Sequence, residues 1–200
     1  MEHPFPIFLD LTGRLCVVFG TGHLADEKLR ALAAAGARIR HIVDDSSPER
    51  LDGAFMAISA LADTVANRRL REEAERRGIL FNALDDPPNC RFYFPAVHRQ
   101  GALVVALSTS GQCPALAVRL KEQLARWLGP EYAAFLRLAA SARDRIKHSG
   151  LDFDSRRRLW YRLVDGPALE QLRADNSATA AATFESTLSE ELPTALGAPR

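Results

Sequence analysis

The sequence predicts an α/β protein, with a parallel sheet in its first part and a mostly helical region in its second. Three observations predict it. Short apolar runs alternate with helical periodicity as far as Leu107. A glycine turn stands where the first apolar run ends. From Pro114 onward the periodicity is helical throughout.

Residues 13–19 are an apolar run led by a glycine, which suits a buried parallel strand. Gly20-Thr21-Gly22 ends it. Leu24, Ala25, Lys28, Leu29, Leu32 and Ala33 then recur at helical spacing up to Gly36, a natural helix stop. Residues 37–43 form a second strand that ends at Asp44-Asp45. Residues 44–52 are polar, with a Ser-Ser-Pro turn. A buried strand follows over 53–60, an Ala/Arg/Glu-rich helix over 64–77 stopped by Gly78, and a strand over 79–84 that ends at Asp85-Asp86-Pro87-Pro88. Residues 92–97 and 102–107 read as a hairpin or an edge pair, followed by a polar Ser/Thr/Gly loop over 108–112.

Helices are then expected over 114–127, where proline opens the first turn, and over 130–147, with a third over 153–164. A turn at Asp165-Gly166-Pro167 precedes a weaker helix from Ala168. Residues 175–183 are small and polar and read as loop or frayed helix. Three regions result: 1–112 as the sheet domain, 113–192 as the helical region, and 193–200 as a disordered tail.

Composition narrows the function. Of 200 residues, 47% are hydrophobic, enough to fill a core. A net charge of +1 gives no general attraction to nucleic acid or membrane, and neither is expected as a partner. Cys16, Cys90 and Cys113 make no CxxC pair and no metal-ligand spacing. Cys16 reads as a buried small hydrophobe, whereas Cys90 and Cys113 fall in polar loops. The start of the sequence lacks the basic and apolar regions of a signal peptide, and no run of apolar residues is long enough to span a bilayer, so the cytoplasm is the expected location. Charge is uneven along the helical part. Residues 115–162 carry eleven Lys/Arg against five Asp/Glu, and residues 163–200 carry two against six. The basic stretch, which includes Arg143, Arg145, Lys147 and Arg156-Arg157-Arg158, reads either as a solvated helix face or as an anion-attracting wall.

Gly20-Thr21-Gly22-His23-Leu24-Ala25 is GxGxxA, placed between a strand and a helix. The first glycine permits the tight turn, the second leaves room for a pyrophosphate, and Ala25 lets the helix pack close to the sheet. The helix N-terminus then faces the phosphates with free amides. Asp44 follows the second strand, where a carboxylate accepts hydrogen bonds from ribose hydroxyls and repels a 2′-phosphate; this favours NAD over NADP. The domain is therefore expected to be Rossmann-like. His23 is either an exposed first-turn residue or a cofactor contact through its backbone. Asp85 stands at the carboxyl end of a parallel strand, where open α/β sheets bind ligands. It is the candidate general base or metal ligand, with Asn82 earlier in the same strand and Asp86 as a turn-holder. Ser108-Thr109-Ser110-Gly111 is either an anion-holding loop or a linker. It lacks the lysine of a P-loop. His41, His98 and His148 are scattered, and no zinc motif is present.

Taken together, these segments resemble the N-terminal module of siroheme synthase, the precorrin-2 dehydrogenase/sirohydrochlorin ferrochelatase family. Phe5 to Leu11 resembles the family's opening Pro-[Ile/Leu]-Phe segment. Residues 18–28 resemble VGGGxVAxRK, residues 82–87 resemble NVVDxP, and Phe94-Pro95-Ala96 resembles [FM]P[AS]. Residues 105–117 resemble VAVSSGGxSPxLA, and residues 156–160 resemble RRRFW. The resemblance implies NAD-dependent oxidation of precorrin-2 to sirohydrochlorin, followed by insertion of ferrous iron as co-substrate to give siroheme. Chelation alone, or tetrapyrrole binding without NAD, is the alternative. It implies Asp85 as the essential aspartate in both steps, and Gly20, Thr21, Gly22, His23, Leu24, Asp44 and Asp45 around NAD. Asn82, Ser108, Thr109, Ser110 and Gly111 fall on the substrate side, with Thr109 where some members carry a phosphorylated serine. It also implies a homodimer joined by the helical region, which would serve dimerisation and close the substrate cleft. A polycarboxylate substrate would give the basic stretch a use. The sequence departs from the family in four places. The family has a longer insertion, with an extra strand, where this chain has residues 44–52. Its Thr-Asp pair is replaced by Ser59-Ala60-Leu61-Ala62-Asp63, and Thr21 and Ser110-Gly111 alter two glycine patterns. The sequence ends where fused members begin a methyltransferase, so uroporphyrinogen methylation is not expected.

Overall fold

The computed structural model describes residues 4–192. The expected tail at 193–200 lies outside the described residues. The chain packs as two units, one ending at Phe94 and the next beginning at Pro95.

The first unit runs β1 (Leu15–Phe19), α1 (His23–Ala34), β2 (Arg38–Ile42), a 3-10 turn (Pro48–Leu51), β3 (Met56–Ser59), α2 (Thr64–Arg76), β4 (Leu80–Ala83) and a second 3-10 turn (Pro87–Asn89). The sheet order is β2-β1-β3-β4, all parallel. Alternate residues of each strand face opposite sides. Cys16, Val18, Met56 and Ile58 pack with Leu11, Ala25 and Leu32 on the α1 side. Val17, Phe19, Ala57, Phe81 and Ala83 pack with Leu51, Leu70 and Ala74 on the α2 side. Because both faces are covered, β1 reads as an unbroken apolar run rather than an alternation. The chain leaves β1 toward β2 on one side and reaches β3 on the other. The carboxyl ends of β1 and β3 therefore diverge at the switch point where such sheets hold ligands.

The second unit opens with an antiparallel hairpin, β5 (Ala96–Gln100) and β6 (Leu103–Leu107), that forms its own two-stranded sheet. Five helices follow: α3 (Pro114–Trp127), α4 (Pro130–Lys147), α5 (Phe153–Asp165), α6 (Ala168–Arg173) and α7 (Ser177–Glu191). The hairpin packs on the helices of its own unit. A Cβ at Gly101, in its turn, would lie 2.8 Å from the Cβ of Ala133 on α4. The packing thus divides the chain before the hairpin, earlier than the expected boundary after residue 112. The main core of this unit joins Phe135, Ala142 and Ile146 of α4, Leu159 and Leu163 of α5, Ala168 of α6, and Ala180, Phe184 and Leu188 of α7.

Residues 177–183, expected as loop or frayed helix, belong to the regular helix α7. Its buried positions, Ala180, Phe184 and Leu188, repeat every four residues and begin with alanine. The apolar stripe is therefore narrow and its local signal weak, and burial against α4, α5 and α6 supplies much of its stability. Phe184 stacks edge-on to Phe135, with ring centroids 5.7 Å apart. Phe184→Ala is expected to cost about 3–5 kcal/mol, read from urea denaturation of the whole chain. A loss under about 1 kcal/mol would mean that α7 is not a core element.

Candidate nucleotide and acid-base site

The glycine turn is built by close approach. Gly20 has φ 86°, and its amide donates to Ile42 O at 2.9 Å. A Cβ there would stand 3.1 Å from both the carbonyl carbon and oxygen of Ala60, which leaves β3. Gly22, at φ 101°, has the opposite character, because a Cβ there would meet nothing within 4 Å. Space thus lies open above the second glycine, while the first seals the turn against β3. Thr21, Gly22, His23 and Leu24 are exposed, and Ala25 is fully buried against the sheet. The N-cap Gly22 brings no side-chain cap, so the first-turn amides of α1 remain available to an anion. His41, one of the scattered histidines, proves to belong here. Its Nε2 lies 2.8 Å from Gly20 O, and since a carbonyl only accepts, Nε2 carries the proton. No spacing in the sequence marks this pair; the parallel register of β1 and β2 creates it.

The two acidic residues after β2 differ. Asp44 is exposed, with no hydrogen bond or ion pair on its carboxylate among the described residues. Asp45 is committed: it accepts from the Ser47 amide at 2.8 Å and from Arg50 Nε at 2.6 Å. Hydrogen bonding from Ser47, then from Arg50, holds its carboxyl down at about 2. The short connection is an ordered cap. Arg40 donates to the carbonyls of Arg50 and Asp52 at 3.0 Å each, and Leu51 is fully buried on the α2 side. Asp45 therefore favours the folded state at pH above the ordinary carboxylate value of 3.8, and this contribution is lost as pH falls from there through about 2. In an NMR titration Asp45 is expected to protonate near 2, and Arg50→Ala is expected to raise that midpoint; an unchanged midpoint in the variant would remove the ion pair.

Asp85 follows β4 in the left-handed region, at φ 59°, which aspartate tolerates better than most residues. Its side chain is exposed, and its carboxylate has no hydrogen bond or ion pair among the described residues. Its neighbours are committed inward. Asn82 is 4% exposed and donates to Phe92 O at 2.7 Å and to Cys90 Sγ at 3.3 Å. Its amide hydrogens are therefore spent inside this unit, while its buried Oδ1 has no partner among the described residues. Cys90, expected in a polar loop, is buried. Its thiol donates to Ala83 O at 3.1 Å, and burial pushes its pKa up, which suits an inert structural thiol.

In the second unit, the Ser108 hydroxyl accepts from the Ser110 amide at 3.1 Å, and the Thr109 hydroxyl accepts from the Cys113 amide at 3.2 Å, at the start of α3. Ser110 and Gly111 both have positive φ. The two hydroxyls thus shape the loop with their lone pairs and keep their protons to donate. Part of the basic stretch is paired: Arg145 with Glu185, Arg157 with Asp154 and Arg162 with Glu191.

A doubly wound parallel sheet with an open glycine turn and a strand-end carboxylate defines a dinucleotide-binding class of domain. Comparison agrees. Residues 7–96 match a family model described as "Putative NAD(P)-binding", and residues 131–188 match the "Sirohaem synthase dimerisation region". Siroheme synthase of Chromobacterium violaceum is 32% identical over 90% of this chain and 43% of its own length. Siroheme synthase 1 of Pectobacterium atrosepticum is 35% identical over 80% of this chain and 38% of its own. The chain thus spans less than half the length of these curated relatives. A solved structure described as SirC, precorrin-2 dehydrogenase, shares the fold with TM-score 0.72 at 21% identity, covering 92% of this chain and 100% of that one. The chain belongs to the siroheme synthase family, through its matches to the putative NAD(P)-binding and sirohaem synthase dimerisation regions.

Proposed function

We propose that this chain oxidises precorrin-2 to sirohydrochlorin with NAD as hydride acceptor, and that it works as a homodimer in the cytoplasm. The observation that carries the reading is Asp85: an exposed, uncommitted carboxylate at the carboxyl end of β4, on the same sheet edge as the glycine turn. Two strand spacings, about 10 Å, separate those strand ends. The relatives named for siroheme synthesis and precorrin-2 dehydrogenation supply the substrate class.

The residues present fit the cofactor. A Cβ at Gly20 would be strained and crowded against Ala60, Gly22 leaves open space, and the uncapped α1 amides suit a pyrophosphate. Asp44 suits ribose hydroxyls and disfavours a 2′-phosphate. Thr21, His23 and Leu24 border the nucleotide, while Asp45 shapes the turn beneath Asp44. When bound, NAD supplies the hydride acceptor. Asp85 takes the proton that leaves the macrocycle as its C–H bond gives up hydride, which balances the two-electron oxidation. Ser108, Thr109, Ser110 and Gly111 offer donors to substrate carboxylates. In a second step, with ferrous iron as substrate, the same carboxylate accepts the two pyrrole protons one after the other, passing each to solvent, as the metal enters.

The test is incubation with precorrin-2 and NAD, following NADH absorbance together with the sirohydrochlorin spectrum. Turnover is expected, and Asp85→Asn is expected to reduce kcat by about a hundredfold or more; full activity in that variant would remove the mechanism. Asp44→Ala is expected to weaken NAD binding about tenfold by calorimetry, about 1.4 kcal/mol. The short connection over 44–52 favours one rival: tetrapyrrole binding or metal insertion without NAD. No measurable NAD binding, alongside metal insertion into premade sirohydrochlorin, would establish that rival.

A further inference from the structure

Asn67 lies in the first turns of α2 and is 1% exposed. Every polar atom of its side chain is used. Its Oδ1 accepts from Ser59 Oγ, at the end of β3, at 2.6 Å. Its Nδ2 donates to Leu61 O at 3.2 Å and to Asp86 Oδ2 at 3.1 Å. Asp86 Oδ2 accepts a second time, from Asn89 Nδ2 at 2.8 Å, and Asn89 Oδ1 accepts from Arg71 Nε at 3.2 Å. The helix that holds Asn67 is itself fixed by Asp63, which accepts from the Val65 and Ala66 amides at 2.9 and 3.0 Å.

One buried amide thus ties two loops on the same sheet edge. One is the exit of β3, where Ala60 and Leu61 form the floor against which Gly20 is pressed. The other is the exit of β4, where Asp86 adjoins Asp85 in its left-handed conformation. A helical asparagine is neither a strong helix former nor a usual buried residue. Keeping one here, with three polar groups converging on it, needs a function that burial of an apolar residue would not serve.

We infer that Asn67 is a positioning residue: through Asp86 it fixes the Asp85 carboxylate relative to the floor of the glycine turn, and Asp86 serves only as the acceptor of that clamp. This rests on Asp85 acting as the proposed base. The clamp needs an oxygen that accepts two N–H bonds at position 86, not a charge. Asn at 86 supplies that oxygen, and Leu at 86 does not.

The experiment compares Asn67→Leu, Asp86→Leu and Asp86→Asn in the full chain, by hydrogen–deuterium exchange and by turnover of precorrin-2 with NAD. In both leucine variants, exchange over residues 84–90 is expected to rise about tenfold or more while β1 and β3 stay protected. Their kcat is expected to fall about tenfold to a hundredfold, with the KM for NAD changing less than about threefold. Asp86→Asn is expected to keep wild-type exchange, kcat and the pH profile of kcat/KM. The clamp is overturned if Asp86→Asn is as damaged as Asp86→Leu, or if Asn67→Leu alters neither exchange nor kcat. Should Asn67→Leu fail to fold, Ser59→Ala keeps its Cβ and is expected to raise exchange over 84–90 about threefold; no change there counts against the clamp equally. The exchange arm needs no substrate. A wild-type chain that does not oxidise precorrin-2 therefore removes the functional reading while exchange still decides the clamp.

Discussion

The approach of Gly20 to Ala60 is the constraint on which the first unit depends. The chain leaves β1 with its backbone against the backbone that leaves β3, so close that a methyl group would stand 3.1 Å from a carbonyl. Hydrogen bonds on either side lock the contact: Gly20 N–H to Ile42 O, Ala60 N–H to Phe19 O, and His41 Nε2 to Gly20 O. The start of α1 is thereby fixed over the switch point of the sheet. Its open amides and the free space above Gly22 follow from that placement rather than from any side chain. A site made of backbone needs few marked residues, and for that reason a short glycine pattern describes it well.

Much of this was legible in the sequence because the signals are local. The glycine pattern, the apolar run before it and the alanine after it lie within a dozen residues and report one turn. Asp44 and Asp85 were legible because the ends of parallel strands are marked by a change from apolar to acidic residues. Other features were hidden because they are made by contacts distant in sequence. His41 meets Gly20 only through strand register, Asn67 meets Asp86 across nineteen positions, and Cys90 is buried only because the chain folds back under β4. α7 was hidden for a different reason. Its stripe of Ala180, Phe184 and Leu188 carries too little apolar surface to stand out among small polar residues, and the core that receives it is built from α4, α5 and α6.

The departures from the family pattern are resolved locally by the same physics. The replacement of Thr-Asp after β3 leaves Asp63 to cap α2 through two backbone amides, so the helix begins where Asn67 needs to be. The shortened connection after β2 is closed by Arg40, Asp45, Arg50 and the buried Leu51, with no extra strand. Asp45 is consumed in that closure and Asp44 is left free, a division of labour between adjacent carboxylates set by which one the turn faces.

A similar division governs the β4 exit. Four polar residues surround Asp85 in sequence or space: Asn82, Asp86, Asn89 and Cys90. Their hydrogen bonds go to carbonyls, to one another and to Asn67 and Arg71 of α2. Asp85 alone points outward, in a backbone conformation that costs energy for most side chains. Were the loop only a connection, glycine would serve at that φ and the buried polar groups could be apolar. The polar atoms beneath are spent on carbonyls and on neighbouring side chains, save the buried Asn82 Oδ1, which has no partner among the described residues, and the Asp85 carboxylate is left exposed and uncommitted at the end of β4.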